Sequence, residues 1–119
     1  MRATVKVENL KIYAFHGCME EEKVIGSDYV VNIEADCFVG NDAFNDAISD
    51  TVDYVDLARI AKREMLIRSK LLEAVVKRII DCSFDEIDVL NRISVTVCKL
   101  SPPINADVEA VSVTMEEQR

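Results

Sequence analysis

Hydrophobic positions in this chain follow two periods, and the change from one to the other separates strands from helices. Residues 4–16 alternate, but Val5 and Val7 share one phase while Leu10 and Ile12 share the other. Strand side chains change face at every residue, so this slip predicts a β-bulge near Glu8-Asn9. His16-Gly17 closes the strand, a polar loop runs from Cys18 to Lys23, and Ile25-Gly26-Ser27 turns the chain back. Residues 28–38 predict a second strand, with Val31, Ile33, Ala35 and Cys37 on one face and Asn32, Glu34 and Asp36 on the other. The second face is too polar for a sheet covered on both sides, and the two strands are expected to be antiparallel neighbours.

After an acidic connector, Gly40 to Asp50, with one helical turn around Ala43-Phe44, the spacing becomes helical. Asp53 is a suitable N-cap, with Asp56 three residues on, and Tyr54, Leu57/Ala58, Ala61 and Met65 recur on one face. Ile67-Arg68-Ser69 predicts a short break, with Ser69 as the cap of a second helix over about 70–82. That helix sets Leu72, Val75/Val76 and Ile79 on one side and Lys77, Arg78 and Asp81 on the other. Alternation returns over about 90–99 and, after Pro102-Pro103, over about 107–116, where Val111, Val113 and Met115 are in phase. The order ββααββ predicts an α+β fold: one four-stranded antiparallel sheet with both helices on one face. Open sheet edges and an uncovered face in so short a chain point to self-association into a multi-subunit barrel.

Composition narrows the function classes. A chain of 119 residues that is 50% hydrophobic and 30% charged suits a single globular domain, 1–119. Its net charge of −8 and the lack of any Lys/Arg run argue against a nucleic-acid partner. No apolar run approaches the length that spans a bilayer, so no membrane partner is expected. The N-terminus leads straight into strand pattern rather than a signal peptide. The four cysteines, widely spaced and without a C-x-x-C, read as free thiols in a reducing cytoplasm. A single histidine excludes any site needing two or three histidine ligands, and the cysteines lack the local pairing of a zinc site. No metal and no cofactor are expected.

One lysine stands out. Lys99 continues the Ile93-Val95-Val97 face at a strand end, where two prolines stop the ladder. An amine held there on rigid backbone is oddly placed for a merely solvated side chain.

The chain resembles the dihydroneopterin aldolases in four separate pieces, in order. Tyr13-Ala14-Phe15-His16-Gly17, then Glu22 and Ile25-Gly26, resembles that family's Tyr-x-x-His-Gly…Glu…Ile-Gly segment. Asp50-Thr51-Val52-Asp53-Tyr54 resembles its Asp-Thr-Val-x-Tyr segment, Leu71-Leu72-Glu73 its Leu-Leu-Glu helix start, and Lys99 with Pro102-Pro103-Ile104 its Lys-x-x-Pro-Pro-Ile segment. The chain departs at Asn105-Ala106-Asp107, where the family commonly has Pro-Gly-His, and at Ser69-Lys70, where an Asn is frequent.

The resemblance implies the tunnelling fold, rings of subunits stacked as a homo-octamer with active sites between subunits, and retro-aldol cleavage of 7,8-dihydroneopterin in folate synthesis. It implies that Glu73 anchors the small-molecule pterin substrate, since a carboxylate can accept two adjacent N–H donors of the pterin edge. It implies that Lys99 donates and accepts the proton, an amine fit for the task if burial draws its pKa down. Glu22, selected from Glu20-Glu21-Glu22 only by register, contacts substrate and relays a proton. Tyr54 reaches a neighbour's pocket, Leu72 offers backbone groups, Val52 does so on weaker grounds, and His16 holds the turn. The ring's own C=N group accepts the electrons, so neither a Schiff base nor a metal is required. Two alternatives stay open: an epimerase of dihydroneopterin or its triphosphate, which would want a basic rim of Lys23, Lys70 and Arg68, and a non-catalytic pterin-binding oligomer. A ferredoxin-like interaction module is a third.

Overall fold

The computed structural model describes residues 1–119 and places four strands in the order β1-β2-β3-β4, every neighbouring pair antiparallel. The strands are β1 (Arg2–Ala14), β2 (Ser27–Phe38), β3 (Arg92–Leu100) and β4 (Ala110–Gln118), and the helices α1 (Tyr54–Met65) and α2 (Leu72–Glu86) lie between β2 and β3 in sequence. Helix α1 packs over β1, and α2 over β3 and β4. Both helices cover the same sheet face because one phase of each strand is apolar: Val31, Ile33, Ala35 and Cys37 on β2 and Ile93, Val95 and Val97 on β3 are all buried. Leu57, Ile60, Ala61 and Met65 of α1 and Val75, Val76, Ile79 and Ile80 of α2 close the core over them. Each large aliphatic side chain so removed from water contributes about 2 kcal/mol.

The expected bulge is present. Val7 faces Ile33 and Leu10 faces Val31, so β1 uses one residue more than β2 between these pairs. Asn9 takes up the excess at φ 57°, a left-handed conformation that asparagine tolerates, and its N–H donates to Asn32 Oδ1 at 2.9 Å. Asp53 caps α1 as expected, its Oδ1 accepting from Val55 N–H at 2.9 Å.

Several expectations need correction. Ser69 does not cap α2. The helix starts at Leu72 without a side-chain cap, and the Ser69 hydroxyl is held by Arg78 instead. Helix α2 runs on to Glu86, beyond Cys82, because Arg119 covers its end: the guanidinium donates to Phe84 O at 2.7 Å and stacks on the Phe84 ring. The connector forms two 3-10 turns, Asn41–Asn45 and Ile48–Asp50, rather than one. Tyr54 does not share the buried face of α1; at the helix start it is 65% exposed. Asp36 lies on the polar face yet is buried, because Thr4, Arg2 and Arg92 converge on it at 2.7, 3.0 and 3.4 Å. No helix is long and apolar enough to cross a membrane.

Candidate active site

Lys99 belongs to the apolar phase of β3 and enters the space beneath the helices with 6% of its surface exposed. A buried ammonium must find acceptors. It finds three groups: the His16 carbonyl at 2.7 Å, the Glu22 carboxylate in a close ion pair, and the Tyr29 ring, whose centroid lies 5.7 Å away. Tyr29 is the β2 partner of Lys99, and its hydroxyl donates to the same His16 carbonyl at 2.9 Å.

Glu22 is brought there by a 3-10 turn, Glu20–Lys23, that buries Glu22 and leaves Glu20 and Glu21 in water. Its other oxygen accepts from Met19 N–H at 3.2 Å. Gly17 makes room for it: the backbone stands at φ 145°, and a Cβ there would run into the Glu22 carboxyl group. Burial pushes the Glu22 carboxyl up, but the Lys99 and Met19 hydrogen bonds outweigh it and hold the group below its ordinary value. A similar contest takes place at Lys99. Burial alone would draw the amine down, yet the hydrogen bond and charge of Glu22, with Tyr29 beside them, push it up by more, so the resting pair is ionised.

His16 holds the turn beneath this pair. The ring is fully buried, its Nδ1 accepts from Ser69 N–H at 3.0 Å, and it meets Tyr29 edge-on. Burial first, then the Arg78 charge, lowers its pKa to about 4, so the imidazole is neutral with the proton on Nε2. Gly17 N–H donates to Ser69 O at 3.0 Å and Arg68 to Gly17 O at 2.6 Å, which ties the interhelix connection to the turn.

These groups open onto a depression of about 290 Å³ bordered by Glu22, Lys99, Leu72, Glu73, Pro102 and Ile104 among others. Glu73 is exposed in the first turn of α2, where backbone N–H groups favour a carboxylate. Of the candidate residues, Lys99, Glu22, Leu72 and Glu73 therefore meet in one place, whereas Tyr54 and Val52 do not border it. Val52 is buried and Tyr54 projects into solvent. Of the proposed basic rim only Lys70 borders the depression; Lys23 is paired with Glu20 at 2.9 Å and Arg68 with Gly17. Sequence reasoning missed Tyr29 and the Arg68–Ser69 clamp. Tyr29 could have been found from its phase, which it shares with Val31 and Ile33. No group of three or more His, Cys, Asp or Glu side chains is placed to hold a metal, and the four cysteines are free.

An ionised lysine–carboxylate pair inside an apolar wall, beside a second carboxylate free to accept donors, suits proton transfer on a small polar molecule with a flat edge. Comparison with known proteins bears on the class. The family model for dihydroneopterin aldolase matches residues 5–116, and the chain belongs to this family. It is 31% identical over 119 residues to dihydroneopterin aldolase 1 of Arabidopsis thaliana, covering 95% of this chain and 79% of that one. It is 27% identical over 117 residues to the dihydroneopterin aldolase of Streptococcus pyogenes serotype M6, covering 97% and 98%. The fold superposes with a TM-score of 0.82 on E. coli dihydroneopterin aldolase in complex with neopterin, at 21% identity over 97% of this chain and 98% of that one.

Proposed function

We propose that the protein cleaves 7,8-dihydroneopterin by a metal-independent retro-aldol reaction to 6-hydroxymethyl-7,8-dihydropterin and glycolaldehyde, a step of folate biosynthesis. The observation that carries this reading is the buried Lys99–Glu22 pair at the wall of a depression that also presents Glu73. Glu73 accepts two N–H donors of the pterin edge, and the backbone at Leu72 completes that edge. The substrate's side-chain diol then lies against Lys99 and Glu22. A proton leaves the hydroxyl on the carbon that becomes glycolaldehyde. The adjacent carbon–carbon bond breaks, its electrons pass into the conjugated C=N of the dihydropterin ring, and the ring-side carbon is reprotonated.

The resting electrostatics support one order for these events. Lys99 is held protonated by Glu22, and a diol that separates the two removes that support. Burial, the largest single influence on the amine, then draws its pKa down and frees it to exchange protons with substrate. Tyr54 takes part from a second copy of the chain. Its exposed ring, and the outer edges of β1 and β4 with no strand beside them, support assembly into rings, two of which stack as an octamer.

The test is incubation of chelator-treated protein with 7,8-dihydroneopterin and chromatographic separation of the pterins. Equal amounts of 6-hydroxymethyl-7,8-dihydropterin and glycolaldehyde are expected. An epimer alone would mean re-addition in place of release, and pterin binding without turnover of either dihydroneopterin or its triphosphate would overturn the enzymatic reading.

A further inference from the structure

Arg78 lies on the side of α2 that periodicity assigns to solvent, yet its side chain turns back over the chain reversal between the helices. The guanidinium donates to the Ser69 hydroxyl, to Ile67 O at 2.7 Å and to Glu64 O at 3.0 Å, and its Nε lies 3.4 Å from the buried carboxylate of Glu64. It thus reads the last turn of α1, the connection and α2 at once. A planar fork of five donors can do this and an ammonium cannot. Ser69 in turn grips the turn under the site through both of its backbone groups, to His16 Nδ1 and from Gly17 N–H, each at 3.0 Å. The far side of the same turn is the His16 carbonyl on which Lys99 and Tyr29 converge. Arg78, Ser69, His16 and Lys99 are thus joined by hydrogen bonds, each residue to the next.

We propose that Arg78 is a positioning residue for the Lys99–Glu22 pair: by fixing Ser69 it sets the His16–Gly17 turn, and so the place of the carbonyl that orients the amine and of the gap that admits the Glu22 carboxylate. The alternative is a helix staple, which costs stability when removed and leaves the pair in place. The two differ in what they do to His16 and to kcat. The kinetic part of the proposal rests on the aldolase reading above; the spectroscopic part does not.

The chain contains one histidine, so His16 gives a single set of imidazole resonances. The groups that face it are Arg78 from α2, Arg68 and Ser69 from the connection, the Met65 carbonyl from α1, Tyr29 from β2 and Lys99 from β3. In the wild-type protein, nitrogen-15 spectra should show the Nε2–H tautomer alone and a midpoint near 4. In Arg78→Ala the midpoint should rise toward the ordinary value of 6.5, because a facing charge is removed and the turn is released. With 7,8-dihydroneopterin, kcat of that variant should fall by about 10- to 100-fold, with a much smaller change in KM, since Glu73 stays on its own helix. Millimolar guanidinium, but not ammonium, should restore part of the loss. Should Arg78→Ala fail to fold, Ser69→Ala removes only the hydroxyl and should shift both readouts in the same direction by less. Unchanged His16 resonances, or unchanged kcat in a variant that has merely lost stability, would overturn the proposal. If the wild-type protein does not cleave the substrate, the aldolase reading falls, and the His16 spectrum of Ser69→Ala, which removes no charge, decides for or against the positioning role.

Discussion

The β2–β3 ladder carries a buried carboxylate with cationic partners at each end, and the two ends are built differently. At one end Tyr29 pairs with Lys99, and Glu22 comes in from a loop; at the other Asp36 pairs with Arg92, and Arg2 and Thr4 come in from β1. Asp36 accepts from three side chains, all on strands, and two of them are arginines. The Thr4 hydroxyl bond, working with the arginines against burial, holds it below its ordinary value. Glu22 has one cationic partner, a lysine, and stands on a four-residue 3-10 turn. An arginine cannot release its proton at any useful pH, and redundant partners leave no vacancy when one moves away. A lysine with one loop-borne partner can be parted from it and can then change charge. The far end is arranged to stay as it is, and the near end to be opened.

That contrast can be broken most sharply at Lys99. Lys99→Ala should lower turnover by about 10³-fold or more while the elution volume on size-exclusion chromatography stays that of the wild-type protein. Lys99→Arg should be nearly as inactive, because charge without an exchangeable proton does not suffice, whereas Arg92→Lys at the far end should leave turnover within about twofold.

Next in size is a pH effect confined to the near end. The folded pKa of His16 lies at about 4 against 6.5 unfolded, so below pH 6.5 the unfolded chain binds the proton first. Stability should be independent of His16 above that pH and fall progressively as pH drops from about 6.5 to about 4, by at most about 3 kcal/mol. Glu22 and Asp36, both depressed, add their own losses only as the pH falls through their ordinary values of 4.5 and 3.8. Urea midpoints at pH 7 and pH 5 should therefore differ in the wild-type protein and converge in His16→Asn.

Gly17→Ala tests the gap for Glu22. Its Cβ would displace the carboxylate and strain the backbone at φ 145°, so kcat should fall by about 10-fold and stability by about 1–2 kcal/mol, read by product formation and a denaturant titration. The smallest effect on function belongs to Asp36→Ala. It should cost about 2 kcal/mol of stability, from charge-assisted bonds lost by Arg2 and Arg92, with kcat per folded molecule unchanged.

How far these ends were legible beforehand follows from the range of the interactions. Lys99 was visible because it continues an apolar alternation in which a charge is out of place, and the bulge because the alternation slips. The Asp53 cap acts on a neighbour two residues away and needs no tertiary information. What escaped depends on partners far off in sequence. Ser69 has the right residue type for a cap, but Arg78 claims its hydroxyl and His16 its N–H. Helix α2, expected to end at about residue 82, continues because Arg119, 35 residues beyond Phe84, accounts for its carbonyl. Asp36 alternates onto the polar face, and only the register of three strands reveals that two arginines and a threonine meet there. The direction of the Lys99 shift could not be read from sequence for the same reason. Burial could be read from phase, but the strength of a partner 77 residues away could not.

The bulge at Asn9 has a bearing on chain length. Val7 and Leu10 stand three positions apart yet both point toward the helices, because the extra residue between them is absorbed by the bend. A chain shortened by one residue at Glu8 or Asn9 would bring those two to a separation of two, the natural interval of a flat strand. Every side chain before and after the deletion would keep its present side. His16 and Gly17 would still arrive facing the same way, and only the local coil of the ribbon would relax. Lengthening by one residue anywhere from Leu10 to Ala14 carries no such protection: it would turn part of the strand over and present the wrong side of the turn to Lys99. Along β1 the molecule therefore tolerates loss and gain of a residue unequally.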